Sequence, residues 1–519
     1  MKRLTTLDER VDAARRLAEI LDARVEWFCM GAPDEESVPV GRGEWELKAA
    51  HGALHFSYRT KRGHARVWRV EGWEWTGERL RLEATRRAGA ERAVLELVPR
   101  ATVREGTETL AAARRAACAR LASLVREAAG NAEVERASLS AGARRGVPGR
   151  YARINLRSGR ESIAATGAVV SLGAHEVDAF LASALLWWPR AGERGKSGRA
   201  SSARSLWLVV SDELKDAVAE RLALLGASVR REIKLWAMDE TGQILSQLAP
   251  PTLAETFADA PRARRPPPAP LSETAARIIA LAPEAIDAVR ARHGETLRFH
   301  GLTFARVRRW MGRERVWFGA TRPTRLLLDE DTLPQFSKLI DELRAHRRAA
   351  AVDQRHALYA AAPEAWLESL LRRDITRLDP GLRLAPLHAQ FRTFARNARN
   401  NAARPVDLLA LRRDGRLVVV ELKIAEDAAL PLQGADYWRR VEAHRRRGDI
   451  ERTRLFGDAH IADAPPLLYL VAPFLRFHRH FDALARMLSS DIDLYRFDLN
   501  EDWRMALRVL RRTRLTAER

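Results

Sequence analysis

The stretch Pro405–Tyr437, PVDLLALRRDGRLVVVELKIAEDAALPLQGADY, decides how this chain is read. Its pattern predicts an apolar strand carrying Asp407, a turn at Asp414-Gly415 and a second strand ending in Glu421-Leu422-Lys423. A helix then opens at Pro431 and carries Gln433 and Tyr437. The unbroken apolar run Leu417–Val420 suits a strand buried on both faces. Glu421 and Lys423 share one face of that strand, and charges at the end of a buried strand are costly without a metal or an ionic partner. The pair is therefore a candidate site. Register sets a condition on it. A two-residue turn at Asp414-Gly415 opposes Asp407 to Leu422, on the wrong face, whereas a three-residue loop with a glycine bulge opposes Asp407 to Lys423. An odd-length loop or a bulge is expected.

Around the hairpin, the chain from 363 onward reads as a helix (PEAWLESLLRRDI), a strand (LHAQFRTFA, carrying Gln390), the two hairpin strands, a helix over 431–447, a strand (LLYLVAPF), a helix over 478–488 and a strand (DIDLYRFDL). This order predicts an α/β sandwich around a mixed sheet. Gln433 and Tyr437 lie four apart and share a helix face. Further along the helix, Arg440, His444 and Arg445-Arg446-Arg447 form a basic face suited to phosphate contacts, although such runs are usually only solvated.

Asp407, thirteen residues, Glu421-Leu422-Lys423, and then Gln433-Gly434-Ala435-Asp436-Tyr437 resemble the PD-(D/E)XK nuclease superfamily. The likeness is to the RecB-like branch with its Q-x-x-x-Y helix motif, nearest in character to DNA endonucleases of the NucS/EndoMS type, and covers about residues 363–500. Val406, between Pro405 and Asp407, is a mild departure. The resemblance implies a restriction-endonuclease-like mixed-sheet αβ domain and Mg²⁺ (or Mn²⁺) held by Asp407, Glu421 and the Leu422 carbonyl. It further implies Lys423, Gln433 and Tyr437 in the site, and a glutamate from the preceding helix near the metal. Glu364 and Glu368 both fit that last role; Glu368 is favoured, since an acidic residue in a first helical turn, as at Glu364, already suits the helix dipole. The physical reading agrees: phosphodiester hydrolysis needs a hard cation, which prefers carboxylates and keeps several waters, and an ammonium such as Lys423 orients the water or neutralises developing charge.

The 519 residues exceed one core. The net charge of +21 points to a polyanionic partner, nucleic acid ahead of a membrane surface. A coding bias toward Arg and Ala is the competing explanation, because only eight of the 89 basic residues are lysine. That bias makes a retained Lys423 informative, since Arg does not replace a compact ammonium. Two cysteines, Cys29 and Cys118, exclude a disulfide scaffold or thiolate zinc site and suit a reducing cytosol. No signal peptide or membrane-spanning run is read, so a cytoplasmic location is expected. Gly192–Ser197 imitates a phosphate loop, but Arg190 stands where its first glycine is required, so no nucleotide triphosphate is expected as a partner.

Five regions follow: 1–108, a helix over 6–30 and a Trp-rich β module; 109–258, an αβ domain; 259–271, a Pro-rich linker; 272–350, a module opened by a helix over 272–292; and 351–519, the domain of the hairpin. Tryptophans 45, 68, 73 and 75 read mainly as core, with a stacking platform for bases as the alternative. Laying Ser158-Gly159-Arg160 over Asp414-Gly415-Arg416 matches the two αβ domains and suggests a duplication. Tyr151, Ala165 and Gly167 then stand where the second copy has Asp407, Glu421 and Lys423, so the first copy is degenerate. The function expected is Mg²⁺-dependent cleavage of DNA, as an endonuclease in repair or defence. The alternatives are a catalytically silent nucleic-acid-binding protein and an RNA nuclease of the same fold.

Overall fold

The structure, a computed structural model, describes the chain apart from residues 1, 5, 24–25, 32–37, 42, 51, 60–64, 78, 87–90, 100–102, 143–147, 160, 192–204, 240–241, 258–270, 292–293, 311–312, 321–324, 385–391, 394–403, 406 and 516–519. The expected Pro-rich linker, Gln390 and the Gly192–Ser197 segment lie outside the described residues. The chain divides into two compact units: residues 1–113 with 319–326 and 399–401, and the remainder.

In the first unit, a helix spans Leu7–Asp22, opened by a capping box between Thr6 and Glu9. It is shorter than the expected 6–30. Glu26–Met30 is a strand instead, because Trp27 and Cys29 alternate into the core with the two-residue period of a sheet. An antiparallel sheet runs in the spatial order Val38–Gly41, Glu26–Met30, Glu91–Pro99, Leu80–Arg86, Ala65–Trp75, Ala53–Arg59, Trp45–Ala50. Trp27 and Trp68 are fully buried, and Trp45, Trp73 and Trp75 pack against the same core, so the tryptophans serve packing.

The second unit is mixed α/β and contains two αβ domains. The first has α1 (Val103–Ala128, in this unit from Arg114), β1 (Glu133–Ala141), β2 (Pro148–Ser158), β3 (Glu161–Ala168), α2 (Val177–Trp187), β4 (Ser205–Ser211), α3 (Lys215–Leu222), β5 (Ile233–Met238) and β6 (Leu245–Leu248). The second has α4 (Pro363–Arg373), β7 (Leu382–Leu384), β8 (Leu408–Arg412), β9 (Leu417–Leu422), α5 (Leu430–Arg446), β10 (Leu467–Pro473), α6 (Phe481–Arg486), β11 (Asp493–Leu499) and β12 (Val509–Leu515). In both sheets the strands lie side by side in chain order. In both, successive pairs are antiparallel, antiparallel, parallel, parallel and antiparallel. The sheet orders therefore agree. The edge strands β1, β6 and β12 escape sequence reading because they are rich in polar residues and bury little.

Between these domains, the expected helix over 272–292 is only Glu273–Ile279. Ala282 precedes Pro283 and is steered out of helical geometry, and Ile286–Ala291 then starts a five-stranded antiparallel sheet. A helix at Leu333–His346 follows.

Every residue of β9 is buried, as the apolar run requires. Leu417 and Val419 face a core shared with α5, while Val418, Val420 and Leu422 face Trp366, Leu367 and Leu371 of α4. The α5-side core is continuous with Phe180, Leu181 and Leu185 of α2. Beside it runs a buried ionic chain: Arg221 Nε lies 3.0 Å from Asp178 Oδ1, and Arg221 Nη2 lies 2.9 Å from Asp436 Oδ2. Asp436 also holds Arg439 and Arg440, and Arg439 reaches back to Glu220.

Candidate active site

The β8–β9 hairpin closes by a three-residue loop, Arg413–Gly415, with Arg412 N donating to Arg416 O and Gly415 at φ 81°. The odd length is as expected, but its offset is different. Leu408 pairs with Val420 and Leu411 with Leu417, so the register extended by one residue puts Asp407 opposite Glu421, not Lys423. Asp407 Oδ2 accepts a hydrogen bond from Leu422 N at 2.9 Å. Leu422 thus contributes its N–H to Asp407 and its side chain to the α4-side core.

Glu421 is buried, and its Oε1 accepts from Gln433 Nε2 at 2.5 Å. Lys423 Nζ lies 4.0 Å from the same oxygen and 3.8 Å from Asp427 Oδ2. Pro431 and the helical start at Leu430 turn α5 so that Gln433 points back to β9. Tyr437, one turn on, is buried in the apolar core. The helix therefore brings Gln433 to the Glu421 carboxylate and buries Tyr437 one turn on, beside Arg440.

Burial pushes the Asp407 carboxyl up to about 7; the Leu422 N–H and Lys423 oppose this, while Glu368 and Glu364 add to it. Burial pulls the Lys423 ammonium down, but Glu421, Glu364, Asp427 and Asp407 outweigh it and hold the group above its usual range. The two glutamates of α4 divide their roles. Glu368 is buried between Arg372 (2.6 Å) and Arg298 (3.4 Å), whereas Glu364 is exposed and accepts from Ile424 N at 3.5 Å. Glu364 is thus the exposed carboxylate of α4, while the favoured Glu368 is ion-paired and acts on Asp407 more strongly than Glu364 does. Arg372 also donates to Asp407 O at 3.1 Å. Sequence reasoning missed Asp427, Arg372 and Arg298. The first two sit four residues from Lys423 and Glu368, a spacing legible in principle, but Arg298 arrives from another sheet with no local signal.

The basic face expected on α5 is ion-paired, buried at Arg440 and His444, half-buried at Arg445 and Arg447 and exposed at Arg446. Arg440 is buried against Asp436, and His444 is buried with Nδ1 2.8 Å from Asp449. Burial holds the His444 imidazole below its ordinary range. Arg445 pairs with Glu442 and Asp463, Arg446 with Glu442, and Arg447 with Asp449. These partners lie within the same fold: Glu442 on α5 itself, Asp449 and Asp463 on the chain that follows it.

Matching β4 to β10 by length and buried face sets Leu206 on Leu468, and the paired strands then set Arg153 on Asp407, Thr166 on Glu421 and Ala168 on Lys423. The expected equivalents Tyr151, Ala165 and Gly167 are displaced because the β2–β3 hairpin closes by a two-residue loop, Ser158 pairing with Glu161. The first domain carries no carboxylate at these positions. Arg153 lies 5.7 Å from the Trp187 ring centroid, and Thr166 donates to Ala152 O.

For a divalent ion, the donor chemistry fits in a limited form. Among the described residues no group of three His, Cys, Asp or Glu side chains is gathered as a metal set. Asp407 and Glu421 supply two carboxylates from adjacent strands, which suffices for Mg²⁺, an ion that keeps most of its waters. Glu368 and Glu364, which add to the rise that burial causes at Asp407, make a field that a cation relieves. Comparison with protein-family models, curated proteins and solved structures finds no match. Among the described residues no helix is long and apolar enough to cross a membrane.

Proposed function

We propose that the second αβ domain is a restriction-endonuclease-like, metal-dependent nuclease that hydrolyses phosphodiester bonds of DNA. One observation carries this reading: the hairpin register opposes Asp407 to Glu421, with Lys423 on the same face as Glu421 and the Gln433 amide on the Glu421 carboxylate. Asp407 and Glu421 would hold Mg²⁺ or Mn²⁺. When bound, such an ion polarises a phosphoryl oxygen and lowers the pKa of a coordinated water. Gln433 fixes the Glu421 carboxylate by a hydrogen bond and so sets where its oxygens point. Lys423, kept charged by four carboxylates, orients the attacking water or donates to the negative charge that develops as the P–O bond to the leaving oxygen breaks. Glu364 stands at the open side of the group and can accept a proton or position water. The excess of basic residues supports a polyanionic substrate.

The test is a cleavage panel of single-stranded, duplex, mismatched and branched DNA plus RNA, with Mg²⁺ or Mn²⁺. Wild type should cut a DNA member, and Glu421→Ala and Lys423→Ala should each lose on the order of 100-fold or more in rate. Preferential cutting of RNA moves the reading to an RNA nuclease. Tight binding of DNA without cutting supports the silent binding protein.

A further inference from the structure

The two αβ domains meet through matched positions. After α3 and after α6, the chain forms an antiparallel bridge, Leu225 to Leu488. Gly226 N donates to Met487 O at 2.9 Å, and Ser489 N donates to Leu224 O at 2.8 Å. The two bonds exchange when the domains are interchanged, as an isologous twofold contact requires. The two domains that meet there share one sheet order and one set of strand directions. Around the bridge, Phe180, Leu181 and Leu185 of α2 share one buried cluster with Trp438 and Val441 of α5 and Phe481 and Leu484 of α6. The Arg221–Asp436 and Arg439–Glu220 pairs cross the same contact. At the bridge the contact is that of an isologous pair contained in one chain, with its surface already buried.

The pair is chemically unequal. Arg153, Thr166 and Ala168 replace Asp407, Glu421 and Lys423, so a guanidinium and a methyl group stand where hydrolysis needs a carboxylate and an ammonium. We infer that the first domain fills the place a second cutting copy would take, so that the protein severs one strand of a DNA duplex per encounter and leaves a nick. This rests on the nuclease reading of the second domain. A homodimer on the same axis would present two cutting sites to one duplex, but the surface it needs is occupied by the first domain. The domains are covalently linked, so dilution does not separate them.

The experiment uses the full chain, Mn²⁺ or Mg²⁺, supercoiled plasmid, and a duplex oligonucleotide carrying a different dye on each strand. Open circles should accumulate almost completely before linear plasmid appears, each duplex should lose one strand first, and the rate should rise in proportion to protein. Linear plasmid from the earliest times, a rate rising with the square of protein concentration, or cutting confined to single-stranded DNA overturns the inference while leaving the nuclease reading intact. Wild type no more active than Glu421→Ala on every substrate removes the nuclease reading, and the inference with it.

Discussion

Burial and the neighbouring acids keep a proton on Asp407 up to about pH 7 in the native state. In the unfolded chain the same carboxyl ionises near ~4. Between those values the native state holds a proton that the unfolded state has lost, so the stability contributed by Asp407 is complete below the window and is lost as pH rises through about 7. Asp407→Asn keeps the position neutral. The variant should match wild type near about pH 4 and exceed it by on the order of 1–3 kcal/mol at about pH 8 in denaturant unfolding. Millimolar Mg²⁺ should raise the melting temperature of wild type at the higher pH and leave Asp407→Asn nearly unmoved, as the proposed metal role of Asp407 requires. Equal stability of the two proteins at both pH values would contradict this account of Asp407. These residues were legible in the sequence because Glu421 and Lys423 interrupt an apolar strand, a conflict that local packing does not resolve. The ionic partners of Glu368 were only partly so, since Arg298 is brought by tertiary structure alone.

Among the elements, α4 and α5 show how spacing misleads. Glu364 and Glu368 look equivalent along α4, yet Glu368 neutralises two buried arginines and Glu364 faces outward. Glu368→Ala should therefore cost about 3–5 kcal/mol, the usual cost of leaving a buried charge unpaired. Glu364→Ala should leave the unfolding midpoint within about 0.5 kcal/mol of wild type and slow DNA cleavage. A stable Glu368→Ala protein beside an unfolded Glu364→Ala protein would reverse the assignment. On α5, the arginines that read as a phosphate-binding face are matched by Glu442 on the same helix and by Asp449 and Asp463, whose nearness depends on the chain after the helix. The hairpin shows the opposite case. Alternation and glycine chemistry predict an odd loop at Asp414-Gly415, but which residue pairs across it depends on a one-residue offset that period-two patterning does not fix.

At the scale of the whole molecule, the two αβ domains were detectable as a repeat because their apolar strands recur at nearly constant offset. Their contact was not, since the residues that make it read as ordinary helix faces. Asp436 is the ionic centre of that contact: burial alone would raise its carboxyl, but Arg221, Arg440 and Arg439 hold it well below the usual carboxylate range. Asp436→Ala strands those arginines in a buried layer and should lower unfolding stability by about 3–5 kcal/mol in denaturant melts. A loss below about 1 kcal/mol would show that the contact tolerates its removal. The repeat also isolates the central claim, because the first domain shares the fold of the second while lacking the carboxylates. Cleavage of labelled DNA by wild type and Glu421→Ala, purified in parallel and assayed with Mg²⁺ or Mn²⁺, tests that claim most directly. Wild type should cut, and the variant should cut on the order of 100-fold more slowly; equal cutting by both proteins would mean that Glu421 takes no part in the cleavage.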